Sequence, residues 1–156
     1  MIPDLTVSRS IAAPAEAVFA AITDITRMGE WSPECVRAEW SDGFSGPATG
    51  ARFIGHNVNG DKEWSIESTI VELVENERFF FDCISSVTPD FVFARWGYSI
   101  EPAETGCTVT EYWQDLRPEF MLERSALASG VSDRPAHNQA GMELTLERLA
   151  AAVEQQ

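Results

Sequence analysis

From Val36 to Trp113 the chain keeps a two-residue rhythm of apolar and polar side chains, and a single long helical period follows it. About 80 residues of strand-like alternation, cut only by short turns, restrict the fold to an antiparallel meander. Val36, Ala38 and Trp40 alternate, then Gly43, Gly46, Pro47 and Gly50 break the chain. Residues 51–58 read as a strand, Asn59-Gly60 as a hairpin turn, and Trp64, Ile66, Ser68 and Ile70 as the return strand. Glu75-Asn76-Glu77 turns the chain into Phe79, Phe81 and Cys83. A strand over 91–100 follows, closed by Pro102 and Gly106, and Cys107, Val109, Glu111 and Trp113 form the last.

Ahead of this run, Leu5 to Ile11 alternates as one more strand. Pro14 suits the first turn of a helix, and Val18, Ile22 and Ile25 give it one apolar face to about Thr23. Residues 24–32 read as a second short helical turn. Residues 120–127 fit either a helix or an ordered loop, interrupted by Ser129-Gly130 and by Asp133-Arg134-Pro135. From about His137, Met142, Leu146, Leu149 and Val153 repeat at helical spacing, with Glu143, Glu147, Arg148 and Glu154 on the wet face. An antiparallel sheet has one face to bury, and only one long helix is available to cover it. The expected fold is α+β: a curved seven-stranded antiparallel sheet around a long C-terminal helix, with two short helices after strand 1. One helix cannot fill such a sheet, so a ligand-sized cavity between them is expected. No linker or repeat interrupts residues 1–156, which read as a single domain.

Charge and cysteine usage narrow the function. The formal net charge is −14, with 25 acidic residues against 11 basic, which disfavours nucleic acid and polybasic membrane docking. No secretory leader and no span of about 20 apolar residues is visible, so a soluble, cytoplasmic protein is expected. Cys35, Cys83 and Cys107 are odd in number and lack a C-x-x-C, which argues against a disulfide framework or zinc knuckle. His56 and His137 have no neighbouring cluster of ligands, so no metal is expected. Phosphate-loop, zinc-protease and serine-hydrolase motifs are absent. Gly43-Phe44-Ser45-Gly46 is a turn, and the glycines at 43, 46, 50 and 55 are wrongly spaced for a dinucleotide loop. No cofactor is therefore expected.

Several segments together resemble a known family. They are Ile11-Ala12-Ala13-Pro14-Ala15-Glu16-Ala17-Val18-Phe19, Asp24 ahead of Trp31-Ser32-Pro33-Glu34, and Gly50 to Asn57 with Gly60 and Trp64. Gly106 to Glu111 and Gly141 to Leu149 complete the set. Their order and spacing resemble the polyketide cyclase/dehydrase and lipid-transport branch of the START and Bet v 1-like (SRPBCC) superfamily, over nearly the whole chain. The resemblance implies a helix-grip fold with a deep pocket between the sheet and the last helix. It also implies ligands such as sterols, lipids, polyketides or quinones, and in some members ring closure and dehydration. Aromatase/cyclase members use polar pocket residues, often an Arg with a Ser or Tyr, and those positions have no one-to-one match here.

Glu111 is the residue of greatest chemical interest. By alternation it shares the inward face of Cys107, Val109 and Trp113, where desolvation raises a carboxyl pKa and suits it to acid–base work. The alternative is a carboxylate paired with Arg95, Arg52 or the Tyr98 hydroxyl, or set in water at the pocket mouth. If Phe53 and Gly55 point inward, so does Asn57, leaving His56 outside; Asn57 then either bonds a ligand oxygen or only ends its strand. Trp31, Phe53, Trp64, Phe81, Trp96, Tyr98 and Trp113 are candidates for the apolar wall, with Met142 facing them and Ser68 as a polar group. His137 reads as a capping or exposed residue. Cys83 and Cys107 read as inert buried thiols on neighbouring strands.

Three readings follow. The first is binding of a small, largely hydrophobic molecule. The second is a metal-free cyclase or dehydratase with Glu111 as acid or base and Tyr98 or Asn57 polarising a carbonyl. The third is an interaction module like the superfamily's chaperone-cofactor branch, with a closed core. Monomer and homodimer are both open.

Overall fold

A computed structural model describes residues 1–88 and 90–155. Strand β1 (Leu5–Ile11) leads into helix α1 (Ala15–Thr23) and a 3-10 turn (Ile25–Glu30). The meander is β2 (Cys35–Trp40), β3 (Arg52–Asn59), β4 (Lys62–Val74), β5 (Arg78–Ile84), β6 (Val92–Pro102) and β7 (Cys107–Asp115). A second 3-10 turn (Glu119–Met121) runs into α2 (Leu122–Ser129), and α3 (Arg134–Glu154) ends the chain. All seven strands form one antiparallel sheet in the order β1-β7-β6-β5-β4-β3-β2. This is the expected seven-stranded helix grip. The ambiguous segment after Pro118 is helical and adds α2 to it.

The concave face is built by strict alternation. Phe79, Phe81 and Cys83 point inward from β5, and Cys107, Val109, Glu111 and Trp113 from β7, all buried. Met142, Leu146, Leu149 and Val153 of α3 close over them, each at most 2% exposed. α3 packs mainly along β1 and α1, with lighter contact to β7. Much of the concave face toward β4 and β5 is therefore left without α3 above it.

Four expectations need correction. The β2 alternation Val36-Ala38-Trp40 is broken by a bulge between Cys35 and Arg37, which leaves Val36 51% exposed and turns Cys35 inward. The hairpin after β3 turns through Gly60-Asp61, since Asn59 still pairs with Lys62. Gly60 takes the positive φ of 62° that this turn needs, while the Asn59 amide donates to the Ser129 carbonyl at 2.9 Å and ties the hairpin to α2. Cys83 and Cys107 are not on neighbouring strands, because β6 lies between β5 and β7. Finally, α3 starts at Arg134, ahead of the expected start near His137, because Asp133-Arg134-Pro135 forms its cap and first turn. The Asp133 carboxylate accepts from the Ala136 N–H at 3.0 Å, and proline sits in the first turn, where its missing N–H costs nothing.

The convex face carries its own lock. Phe80 points outward yet is only 3% exposed, because it lies against Gly97 directly across β6, with the Tyr112 ring 5.5 Å away and the Arg78 guanidinium 4.6 Å above it. A Cβ on Gly97 would overlap the Phe80 ring. Gly97→Ala should therefore cost about 1–3 kcal/mol by overpacking. In a Phe80→Ala background the same change should cost distinctly less, as read from urea midpoints of the four-variant cycle.

Candidate ligand-binding site

Two adjoining chambers open where α3 leaves the sheet uncovered. The first, about 140 Å³, lies between the sheet and the first half of α3. It gathers Phe53, Asn57, Ser68, Phe81, Trp96, Tyr98, Glu111 and Met142, all named from the sequence as site residues. The second, about 310 Å³, lies beneath α2 and takes Trp64 and Trp113, with Trp96 shared between the two. Glu34, Ile66, Cys83 and Asn138 also line both, so the chambers adjoin across those side chains.

Trp31 belongs to neither chamber. It is 2% exposed in the core at the end of the 3-10 turn, where its N–H bonds the Met28 carbonyl and Arg27 lies 5.2 Å over its ring. The turn directs Met28, Ser32 and Pro33 to the α3 chamber instead. Asn57 is turned inward as expected, its amide 3.5 Å from the Gly55 carbonyl, and His56 faces out. There His56 Nδ1 lies 2.8 Å from Ser65 Oγ and Nε2 lies 2.9 Å from Glu39 Oε1. That Ser-His-Glu chain runs from β4 across β3 to the edge strand β2, on the convex face away from the α3 chamber.

The walls are aromatic and mutually braced. Phe53 and Phe81 meet edge to face at 5.1 Å, Phe79 stacks with Tyr98 at 6.5 Å, and Trp96 lies 6.2 Å from Trp113. Against this surface the polar groups stand out. Glu111 is 3% exposed and faces Tyr98 directly across the β6–β7 ladder. Neither arginine considered as its partner reaches it: Arg95 bonds Asp82 on the convex face, and Arg52 lies 3.5 Å from Glu67. Glu111 Oε2 has no hydrogen-bond partner. Burial therefore pushes its pKa up to about 8, although the Tyr98 hydroxyl beside it pulls the other way. Burial and the neighbouring carboxyl push the Tyr98 phenol well above its ordinary value. At neutral pH the pair is a carboxylic acid and a phenol, both able to donate. Cys83 is pushed up to about 12 by burial, with Ser68 Oγ 3.6 Å away, and is inert as a nucleophile.

A polar rim that the strand and helix periods do not mark borders the α3 chamber. Glu34 accepts from Arg134 Nη1 at 2.8 and 2.9 Å, and His137 Nε2 lies 2.9 Å from its Oε2. His137 is thus a chamber-lining residue on the first turns of α3. Asn138, one residue on, is 5% exposed, with Oδ1 accepting from Arg134 and Nδ2 without a partner. The signal for this rim was the Asp-x-Pro helix start, which moves α3 about one turn earlier and carries Arg134, His137 and Asn138 onto the sheet side. Among the described residues, no group of three or more His, Cys, Asp and Glu is placed to hold a metal. No helix among them is long and apolar enough to cross a membrane.

A raised carboxyl pKa means the folded protein holds a proton that the unfolded chain releases. The resulting stability is complete below the unfolded pKa near 4.5 and is lost as pH rises toward about 8. Relative to Glu111→Gln, the wild type should lose about 1 kcal/mol per pH unit across that window and level off above it. Urea midpoints of both proteins across the window check this.

The family model described as polyketide cyclase/dehydrase and lipid transport matches residues 3–154. Among solved structures, the polyketide-cyclase-like protein Cgl2372 from Corynebacterium glutamicum is 31% identical over 96% of this chain and 90% of its own, with a TM-score of 0.63. CV1439 from Chromobacterium violaceum shares the fold at 18% identity, covering 96% of each chain, with a TM-score of 0.69. The di-domain ARO/CYC StfQ from the steffimycin biosynthetic pathway also shares it, at 11% identity and a TM-score of 0.71, covering 97% of this chain and 50% of that one. No curated protein matches the sequence. A matched span of 152 of 156 residues, on the fold and cavity described, places the chain in the polyketide cyclase/dehydrase and lipid-transport family.

Proposed function

We propose that the protein binds a small, largely apolar molecule carrying an uncharged oxygen function, with that oxygen held by Glu111 and Tyr98. The observation that carries this reading is the orphaned Oε2 of a fully buried Glu111 lining an otherwise aromatic chamber. A buried polar atom left unpaired costs about 1–3 kcal/mol, and a ligand hydroxyl or carbonyl would remove that cost. A ligand with no oxygen would leave the cost in place, whereas a charged group there would meet an apolar wall. Asn57 supplies a further inward amide, and Met142 a flexible apolar contact from α3.

A second reading has one observation in its favour. A carboxyl protonated at neutral pH, beside a phenol, has the makings of a general acid for dehydration. In that chemistry Glu111 gives its proton to a departing hydroxyl, which leaves as water. The carboxylate so formed takes the proton released from the adjacent carbon, restoring the acid. Glu111→Gln would then abolish turnover of a β-hydroxy carbonyl substrate with the fold intact, and undiminished turnover would remove Glu111 from that role. The chaperone-cofactor-like reading expects a closed core, and the two chambers argue against it.

Binding is tested with 1-decanol as a neutral probe, followed by tryptophan fluorescence, since Trp96 lines both chambers. Saturable quenching is expected, and Ser68→Trp, which fills the α3 chamber, should abolish it. Affinity should weaken in the wild type as pH rises past about 8, where Glu111 loses the proton it donates. Glu111→Gln, which keeps a donor that does not titrate, should hold a flat profile. A wild-type profile as flat as the variant's would mean that Glu111 does not touch the ligand oxygen. Native mass spectrometry of freshly purified protein complements this, a retained adduct giving the mass of the natural ligand.

A further inference from the structure

The α2 chamber has an electrostatic character opposite to that of the molecule around it. The chain carries −14 overall, yet three of its 11 basic residues, Arg117, Arg124 and Arg134, line this one chamber, and among the described residues Glu34 is the only acidic one doing so. Two of the arginines are already committed. Arg117 donates from Nε and Nη2 to the Asp115 carboxylate, each at 2.8 Å, and Arg134 donates to Glu34. Arg124, an exposed residue of α2 at the chamber wall, joins none of the ion pairs among the described residues. Counting Asp115 and Glu34, the cluster keeps one uncompensated positive charge.

A second observation points to what that charge faces. Asn138 is 95% buried and lines both chambers, and its Nδ2 donates to nothing. Its Oδ1 is fixed by Arg134 at 3.3 Å, so the amide cannot be flipped without losing that bond and its NH₂ is held as a donor. An unsatisfied donor and an uncompensated guanidinium lining one chamber are complementary to an anionic oxygen. The neighbouring wall of Trp64, Trp96 and Trp113 is apolar, and Trp96 is shared with the α3 chamber.

We propose that the bound molecule is amphipathic and anionic, with its apolar body passing Trp96 and its carboxylate or phosphate end lodged in the α2 chamber between Arg124 and the Asn138 amide. The inference rests on the ligand-binding reading of the α3 chamber and adds the charge and direction of the ligand. The uncharged end lies by Glu111 and the charged end by α2. The rim pair Glu34–Arg134 stays intact and holds Asn138 in place, so Arg134 acts as a positioning residue.

The test compares decanol, decanoate and decyl phosphate at pH about 7 and low salt, each below its micelle concentration. At least one anion should bind about tenfold more tightly than the alcohol, and that ratio should shrink as salt screens the site. The tighter of the two anions identifies carboxylate or phosphate as the preferred end. Arg124→Gln, at an exposed position on α2, should lower the anion-to-alcohol ratio about fivefold. Asn138→Asp keeps the acceptor for Arg134 but replaces the donor with a negative charge, and should bring the ratio below one. If that variant does not fold, the Arg124 variant and the salt series decide the matter. Decanol binding as tightly as both anions, or a ratio that Arg124→Gln and salt leave unmoved, overturns the proposal while the α3-chamber reading stands. Failure of all three probes to bind overturns both.

Discussion

A single helix lies across the concave side of a seven-stranded sheet, and it lies to one side. α3 packs on β1, α1 and the edge of β7, where Leu146, Leu149 and Val153 complete a dry core. The N-terminal half of α3 meets aromatic rings on β3 to β6 that it cannot fully cover. Close packing is satisfied at one end of the molecule and withheld at the other, and the chambers occupy the difference. The rest of the site follows from that offset, because it decides which side chains are desolvated without being packed.

Desolvation explains the chemistry of the α3 chamber. Glu111 is placed inward by the same alternation that buries Val109 and Trp113, and no arginine follows it there. Asp82, an acid on the outer face of β5, has the opposite fate: Arg95 lies across the ladder from it and forms a two-pronged ion pair. Two carboxyl groups within one sheet thus differ in surroundings, because one faces a cation and the other faces aromatic rings. The rim repeats the contrast, with Glu34 bonded by both Arg134 and His137 while the Asn138 amide beside them is left without an acceptor.

The inward set on β3 and β5 to β7 was legible because a period of two leaves no freedom about which face a residue takes once its neighbours are assigned. That is why Phe53, Asn57, Phe81, Tyr98 and Glu111 could be named together. The reading failed where a local irregularity shifts the phase. The bulge at Val36 hid Cys35, and the 3-10 turn sent Trp31 into the core while Met28 and Pro33 took its expected place. At Asp133 the error was of another kind, since a proline that ends one pattern is also a favoured residue for starting a helix.

The amino-acid sequence by itself determined the antiparallel meander, its pairing with an N-terminal strand and a C-terminal helix, and the inward position of Glu111. These depend on periodicity, turn residues and charge pattern, which are properties of neighbours along the chain. Only the tertiary structure decided that the cavity is open, that Glu111 lacks a cation, and that Arg117, Arg124 and Arg134 meet beneath α2. Those outcomes turn on where α2 and α3 come to rest against the sheet. Contacts between Glu34 and Arg134, 100 residues apart, leave no local signature in either segment.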